Sequence, residues 1–206
     1  MEEIFREYKE SDYEQCEELV NQAWGLDKIF SSEKLSGFAK LIYTKGSVLG
    51  SNYKMVVEDH GQVIGFIFGL NEHLNKPRRN TLFGLMLLWR LIWVKGNKSE
   101  KKHLLDALTN HQKNRMDVID RGRSEIVLFV ISNEYQGKGI GKRLWSGFRN
   151  ACIESGVKSV VVETNKLGAS SFYEKIGFTH LANFSSPLHE LATKGGQACM
   201  YEYKCK

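Results

Sequence analysis

Residues 126–141 read Ile126-Val127-Leu128-Phe129-Val130-Ile131-Ser132-Asn133-Glu134-Tyr135-Gln136-Gly137-Lys138-Gly139-Ile140-Gly141. Six apolar residues enter a glycine-rich turn, after which Ile140, Leu144, Phe148 and Cys152 recur every fourth residue. The order is strand, turn, helix. Such a turn presents successive backbone N–H groups at a helix N-terminus, where the macrodipole adds partial positive charge. That arrangement holds phosphate or pyrophosphate without any one side chain. Two nucleotide-loop patterns fail here. Counted from Gly137, the dinucleotide fingerprint G-x-G-x-x-G ends on Lys142, and the P-loop pattern has Gln136 in place of its first glycine and Arg143 in place of its hydroxyl residue.

The spacing that fits is Gln-x-x-Gly-x-Gly over Gln136–Gly141. Downstream, strand-like Lys158–Thr164 precedes Ala169-Ser170-Ser171-Phe172-Tyr173-Glu174-Lys175-Ile176-Gly177-Phe178. These two segments resemble the acyl-CoA loop and the A-x-x-x-Y-E-K-x-G-F motif of the GNAT N-acetyltransferases, in the family's order and at its usual distance. The resemblance covers roughly residues 124 to 184. It implies one α/β domain over residues 1–206, with a mixed, mostly antiparallel sheet splayed at its centre.

The resemblance also implies roles. Gln136, Gly137, Lys138, Gly139, Ile140, Gly141 and Lys142 would hold the pyrophosphate of acetyl-CoA as cosubstrate, with no metal. Backbone groups of Phe129, Val130 and Ile131 would pair with the pantetheine arm like an added strand, and an N–H there could polarise the acetyl carbonyl. Tyr173 would touch the cofactor and protonate the leaving thiolate, since a phenol near pKa 10 carries its proton at neutral pH. Glu125 would be the general base, as the family's glutamate is at that strand position, and strand alternation would put it on the face of Val127, Phe129 and Ile131. An alkyl ammonium has a pKa near 10.4, so its deprotonation at pH 7 costs roughly 4–5 kcal/mol, and some base or water chain must take that proton. Two departures stand out. Asn133 replaces a frequent proline, and Lys166 occupies the position seven before Tyr173 where relatives often carry asparagine. Asn165, one residue earlier, is the candidate pantetheine contact.

Each assignment has a plainer reading. The glycines could merely join strand to helix, Lys138 and Lys142 could be solvated, Tyr173 could be a core residue beside Phe172, and Glu125 could be a surface carboxylate. At the level of the whole chain, the enzyme reading stands beside a longer-acyl transferase, a non-catalytic CoA-binding module, and a nucleic-acid binder. The last lacks a supporting motif.

With 206 residues, 42% of them hydrophobic, the chain can bury one core. Cys16, Cys152, Cys199 and Cys205 lack metal-ligand spacing, which points to reduced thiols and a cytoplasmic location. Met1–Arg6 lacks an apolar signal core, so secretion is not expected. Residues 71–123 hold twelve Lys and Arg against five acids, a net +7 that leaves −2 for the rest.

Ile4–Lys9 is expected as a strand, and Ser11 with Glu14 as a capping box opening an amphipathic helix through Cys16, Leu19, Val20, Ala23 and Trp24. A second helix is expected over 31–43. Tyr53–Glu58 and Gln62–Leu70 flank a turn and read as a hairpin. His180–Phe184 and Ala198–Tyr203 read as the last hairpin, joined by a polar loop over 185–196.

The segment 71–123 is the departure from the family pattern, in which a short turn often suffices. Leu82–Val94 is almost wholly apolar but too short to span a bilayer, which takes about 20 residues. Its length favours a buried helix; a substrate-covering, interfacial or homodimer-forming helix is the alternative. Ser99 reads as an N-cap for a second helix over 100–121, and the two helices together as a lid or wall.

Overall fold

The apolar runs at Val56–Val57, Val63–Phe68, Ile126–Ile131 and Val160–Val162 are realised as one sheet in the computed structural model, which describes residues 3–75, 77, 81–93, 98–120, 122–193 and 197–205. Among these residues the strands are β1 (Ile4–Glu7), β2 (Tyr53–Asp59), β3 (Gln62–Leu70), β4 (Glu125–Ile131), β5 (Ser159–Asn165), β6 (Thr179–Phe184) and β7 (Ala198–Lys204). Their spatial order is β1-β2-β3-β4-β5-β7-β6, antiparallel throughout except where β4 meets β5. There the pairing is parallel and brief: Glu125 opposes Val161, Ile126 opposes Val162, and the register goes no further. β4 continues to Ile131 and β5 to Asn165, so the sheet opens into a fork toward their C-terminal ends. This is the expected central splay.

Helices cover both faces. On one, α5 (Ile140–Glu154) inserts Leu144, Trp145, Phe148 and Cys152 among Ile67, Ile126, Val160 and Val162, and the short α6 (Ser170–Lys175) adds Tyr173. On the other, α1 (Tyr13–Trp24) packs Cys16, Leu19 and Val20 against Phe66, Phe68, Leu128 and Val130, with α2 (Glu33–Gly50) adding Val48. The helices α3 (Thr81–Trp93), α4 (Lys98–Met116) and α7 (Pro187–Thr193) complete the set.

Several local expectations are corrected. The turn before α1 is held by Asp12 rather than Ser11: its Oδ2 accepts the Lys9 amide at 2.7 Å and its carboxylate accepts both terminal nitrogens of Arg6. Arg6 on β1 also bonds Glu58, so this half-buried ion-pair network captures the cap and Ser11 stays within the short turn Glu10–Asp12. The helix α2 runs to Gly50, beyond the expected end at 43, because Thr44 and Val48 are buried beneath it. Residues 187–193, expected as loop, form α7. Ser99 lies inside α4, which begins at Lys98.

The apolar helix α3 is not buried. Leu82, Leu85, Trp89 and Trp93 are 62–76% exposed along one stripe, while Leu87 packs with Leu35, Phe38 and Leu104. One face of α3 meets α2 and α4, and no described residue covers the other. Val94, the last residue of the expected run, lies outside the described residues. Among the described residues no helix is long and apolar enough to cross a membrane, and the four cysteines are free.

Candidate active site at the sheet fork

The glycine loop takes its shape from two positive-φ glycines and two side-chain braces. Gly137 and Gly139 have φ of 78° and 87°, a region side chains rarely adopt, and Gly139 is the N-cap of α5. Gln136 Nε2 donates to the Ile131 carbonyl at 3.2 Å and to Asn133 Oδ1 at 3.0 Å, fastening the loop to the end of β4. Tyr135 donates its hydroxyl to Asp59 at 2.7 Å, and Lys138 lies over the Tyr135 ring at 4.3 Å. The first-turn amides of Ile140, Gly141 and Lys142 have no intrahelical acceptor by position, so they point out of the helix start. Gly141 also permits close packing: a Cβ there would stand 3.4 Å from Phe172 and 3.6 Å from Phe129.

The fork leads from this loop into the sheet. Phe129, Val130 and Ile131 pair with Ile67, Phe66 and Gly65 on the β3 side, and β5 does not pair with them on the other. Phe129 meets Phe172 edge-on at 5.7 Å. Tyr173 is buried at 5% exposure between Phe172 and Phe178, and burial pushes its phenol well above the ordinary value, which keeps it protonated. Asn165 ends β5, and its side-chain carbonyl accepts the Leu167 amide at 2.7 Å, shaping the turn toward α6.

Glu125 is not where simple alternation puts it. The β3–β4 register shifts between Phe68–Leu128 and Gly69–Ile126, so Val127 forms a bulge. Ile126 therefore joins the α5 cluster with Phe129 and Ile131, whereas Glu125 falls on the opposite face, with Leu128 and Val130. There its carboxylate is bonded by Arg115 of α4. Burial pushes the Glu125 pKa up, Arg115 opposes, and the balance lies above the usual carboxylate value.

Beside it is a group that sequence reading missed. Glu163, the first β5 residue beyond the last β4–β5 pair, accepts from Arg115 Nε at 3.1 Å and pairs with His189 Nε2 at 2.6 Å. His111 Nδ1 stands 3.6 Å from the same carboxylate and 2.9 Å from Ser186 Oγ. Asn114 Nδ2 bonds the Ser185 carbonyl at 2.9 Å, tying α4 to the start of α7. Burial opposes ionisation of Glu163, but the His189 hydrogen bond and the fields of His111, His189 and Arg115 outweigh it and hold its pKa low. Burial holds His111 below the ordinary imidazole value. Signals for part of this group existed: Glu163 interrupts a valine run, and His111 and Arg115 are one helical turn apart. Nothing local marked His189. Among the described residues no set of three or more such groups is spaced to hold a metal ion.

A crevice of about 300 Å³ lies between α1 and Ser132–Tyr135, the segment that follows the end of β4. Glu14, Glu18 and Glu134 line it, a charge that suits no phosphate.

Comparison with known proteins agrees with this architecture. Residues 100–185 match the family model described as an acetyltransferase (GNAT) domain. The solved structure of SsHAT is 16% identical and superposes over 100% of both chains with a TM-score of 0.67. The PaiA N-acetyltransferase from Thermoplasma acidophilum, solved in complex with coenzyme A, is 16% identical over 99% of each chain, with a TM-score of 0.56. An N-acetyltransferase from Staphylococcus aureus Mu50 is 12% identical over 100% of both chains, also at 0.56. No curated protein sequence matches the chain. Residues 100–185 thus carry the match to a GNAT acetyltransferase domain, and the chain as a whole shares the fold of these solved structures.

Proposed function

We propose that the protein is an N-acetyltransferase that moves an acetyl group from acetyl-CoA to a primary amine. The observation that carries this reading is the fork: a parallel strand pair that parts after two residue pairs, with a glycine-capped helix start at its mouth and a buried tyrosine along one side. The chain fits the cofactor on its own geometry. The outward amides at 140–142 suit a pyrophosphate, and the unpaired edge of β4 suits an extended amide-bearing arm.

Acetyl-CoA would supply an activated thioester carbonyl. The chain's residues supply the rest. Gln136–Lys142 hold the pyrophosphate, and Phe129, Val130 and Ile131 offer backbone groups to the arm. Asn165 shapes the turn on the far side of the fork. Tyr173 keeps its proton through burial and would release it to the departing thiolate. The amine enters from the opposite face, where Glu125 stands among the groups able to take its proton.

The test is release of free thiol from acetyl-CoA with a panel of polyamines, amino acids, aminoglycosides and peptide N-termini. Amine-dependent release supports the reading. Saturable CoA binding with no release for any amine or any acyl length points to the non-catalytic module instead.

A further inference from the structure

The groups around Glu163 form a built site for which the acetyl-transfer chemistry of the loop and Tyr173 gives no account. They come from four elements: Glu125 of β4, Glu163 of β5, His111 and Arg115 of α4, and His189 of α7, with Tyr43 of α2 close enough to feel the Glu163 charge. Their side chains are 14–23% exposed, neither sealed in the core nor free on the surface, so solvent reaches the space between these elements, termed the crevice. Glu163 follows directly on the last β4–β5 pair, at the crotch of the fork. Tyr173 belongs to the α5 face of the sheet and this group to the other, so a carbonyl lodged in the fork would have a proton donor on one side and these groups on the other.

Charge and geometry define what fits. Two carboxylates and one guanidinium leave a net single negative charge when both histidines are neutral. Arg115 is committed to Glu125 and Glu163, so the crevice offers a cation a place but offers an incoming carboxylate none. His111 turns Nδ1 toward Ser186 and Glu163, and its Nε2 has no partner among the described residues. With the hydrogen on Nδ1, His111 donates to Ser186 Oγ, which fixes the ring and leaves Nε2 as the acceptor, and the Glu163 carboxylate 3.6 Å away stabilises the imidazolium that forms on proton uptake.

We propose that this crevice receives the ammonium of the acceptor, that His111 Nε2 takes its proton, and that Glu163 is the positioning residue that stabilises the resulting imidazolium. The step balances simply. One N–H bond of the ammonium breaks, its electron pair stays on nitrogen as the attacking lone pair, and the proton forms an N–H bond on His111, later passing to water. The acceptor class follows: an amine whose carbon bears no carboxylate, in preference to an α-amino acid. The base thus comes from the helical insertion, and burial, which keeps His111 neutral near pH 7, leaves it able to accept.

This rests on the N-acetyltransferase reading, but it is tested first by binding, which does not. Calorimetry with n-pentylamine, spermidine and kanamycin, set against norleucine (pentylamine with a carboxylate on the amine carbon), reads the crevice directly. Saturable binding of at least one amine, at least 10-fold weaker for norleucine than for pentylamine and at least 10-fold weaker in Glu163→Gln, is expected. No saturable amine binding, or equal affinity in the variant, overturns the proposal. For any amine that is acetylated, the profile of kcat/KM against pH gives the second reading. His111→Gln should lose about 10²–10³-fold near pH 7 with CoA affinity retained, and the deficit should shrink as pH approaches the amine's own pKa. Glu163→Gln should move the acidic limb to lower pH, as expected when an imidazolium loses its stabilising charge. An unchanged profile in both variants overturns the assignment of the base. Amine binding without acetylation of any amine would leave the crevice standing and refute the acetyltransferase reading.

Discussion

His111 and Glu163 meet at 3.6 Å, one on the helical insertion and the other on the strand that borders the fork. The pair sets an acid limit on stability. Burial lowers the His111 pKa in the folded chain, so its contribution is complete above the unfolded value of about 6.5 and is lost as pH falls through the folded one. Glu163 is also held low, so its contribution is lost only further down, as pH drops below the ordinary carboxylate value of about 4.3. Thermal unfolding followed from about pH 8 down to about pH 2 should therefore show a first decline below about pH 6.5 and a second below about pH 4.3. His111→Asn should flatten the first decline and leave the second, carboxylate-driven one.

The glycine loop should fail by backbone strain before it fails by crowding. Gly139 has φ of 87° and open space where a Cβ would stand. Gly139→Val should cost about 1–3 kcal/mol of local strain and turn the amides of the α5 start away from their target. CoA affinity measured by calorimetry should drop at least 10-fold. Gly141→Val instead drives a side chain toward Phe172 and Phe129, and is expected to weaken CoA binding and lower the melting temperature together.

Gly69 gives a purely structural check. A Cβ on this residue would stand 2.5 Å from the Phe148 ring, at the centre of the α5 face. Gly69→Ala is expected to destabilise by about 1–3 kcal/mol through overpacking. Pairing it with Phe148→Leu should recover part of that loss in chemical denaturation.

The outer stripe of α3 predicts association. Leu82, Leu85, Trp89 and Trp93 are exposed on one side of a helix whose other side is already packed. Large exposed apolar patches mark interaction surfaces, and self-association through this stripe is the outcome to test. Light scattering should give a dimer mass for the wild-type protein and a monomer mass for Leu85→Glu combined with Trp89→Glu, with no loss of melting temperature. A monomeric wild-type protein at high concentration would contradict this.

Legibility followed the range of the interactions. The strands, the loop and α5 were readable because their determinants are local: valine runs, glycine spacing and a four-residue helical period. What depended on several elements meeting was not. The Val127 bulge, which carries Glu125 to the other face, is fixed by register with β3 and leaves no mark in the order Glu125-Ile126-Val127. The cap at Asp12 needed Arg6 and Glu58 on two other strands. The Leu82–Trp93 pattern gave a helix but no side, because nearly every position is apolar. His189 could be joined to Glu163 only once 187–193 was seen to be helical.

The central claim is that the chain transfers acetyl groups with Tyr173 as proton donor, and Tyr173→Phe tests it most directly. The ring should keep its packing against Phe172 and Phe178 while the donor is removed. With the best acceptor from the amine panel, steady-state thiol release should show kcat lowered by about 10²–10⁴-fold, with CoA affinity and melting temperature near those of the wild type. Wild-type turnover in Tyr173→Phe would reduce this residue to a packing role and contradict the account.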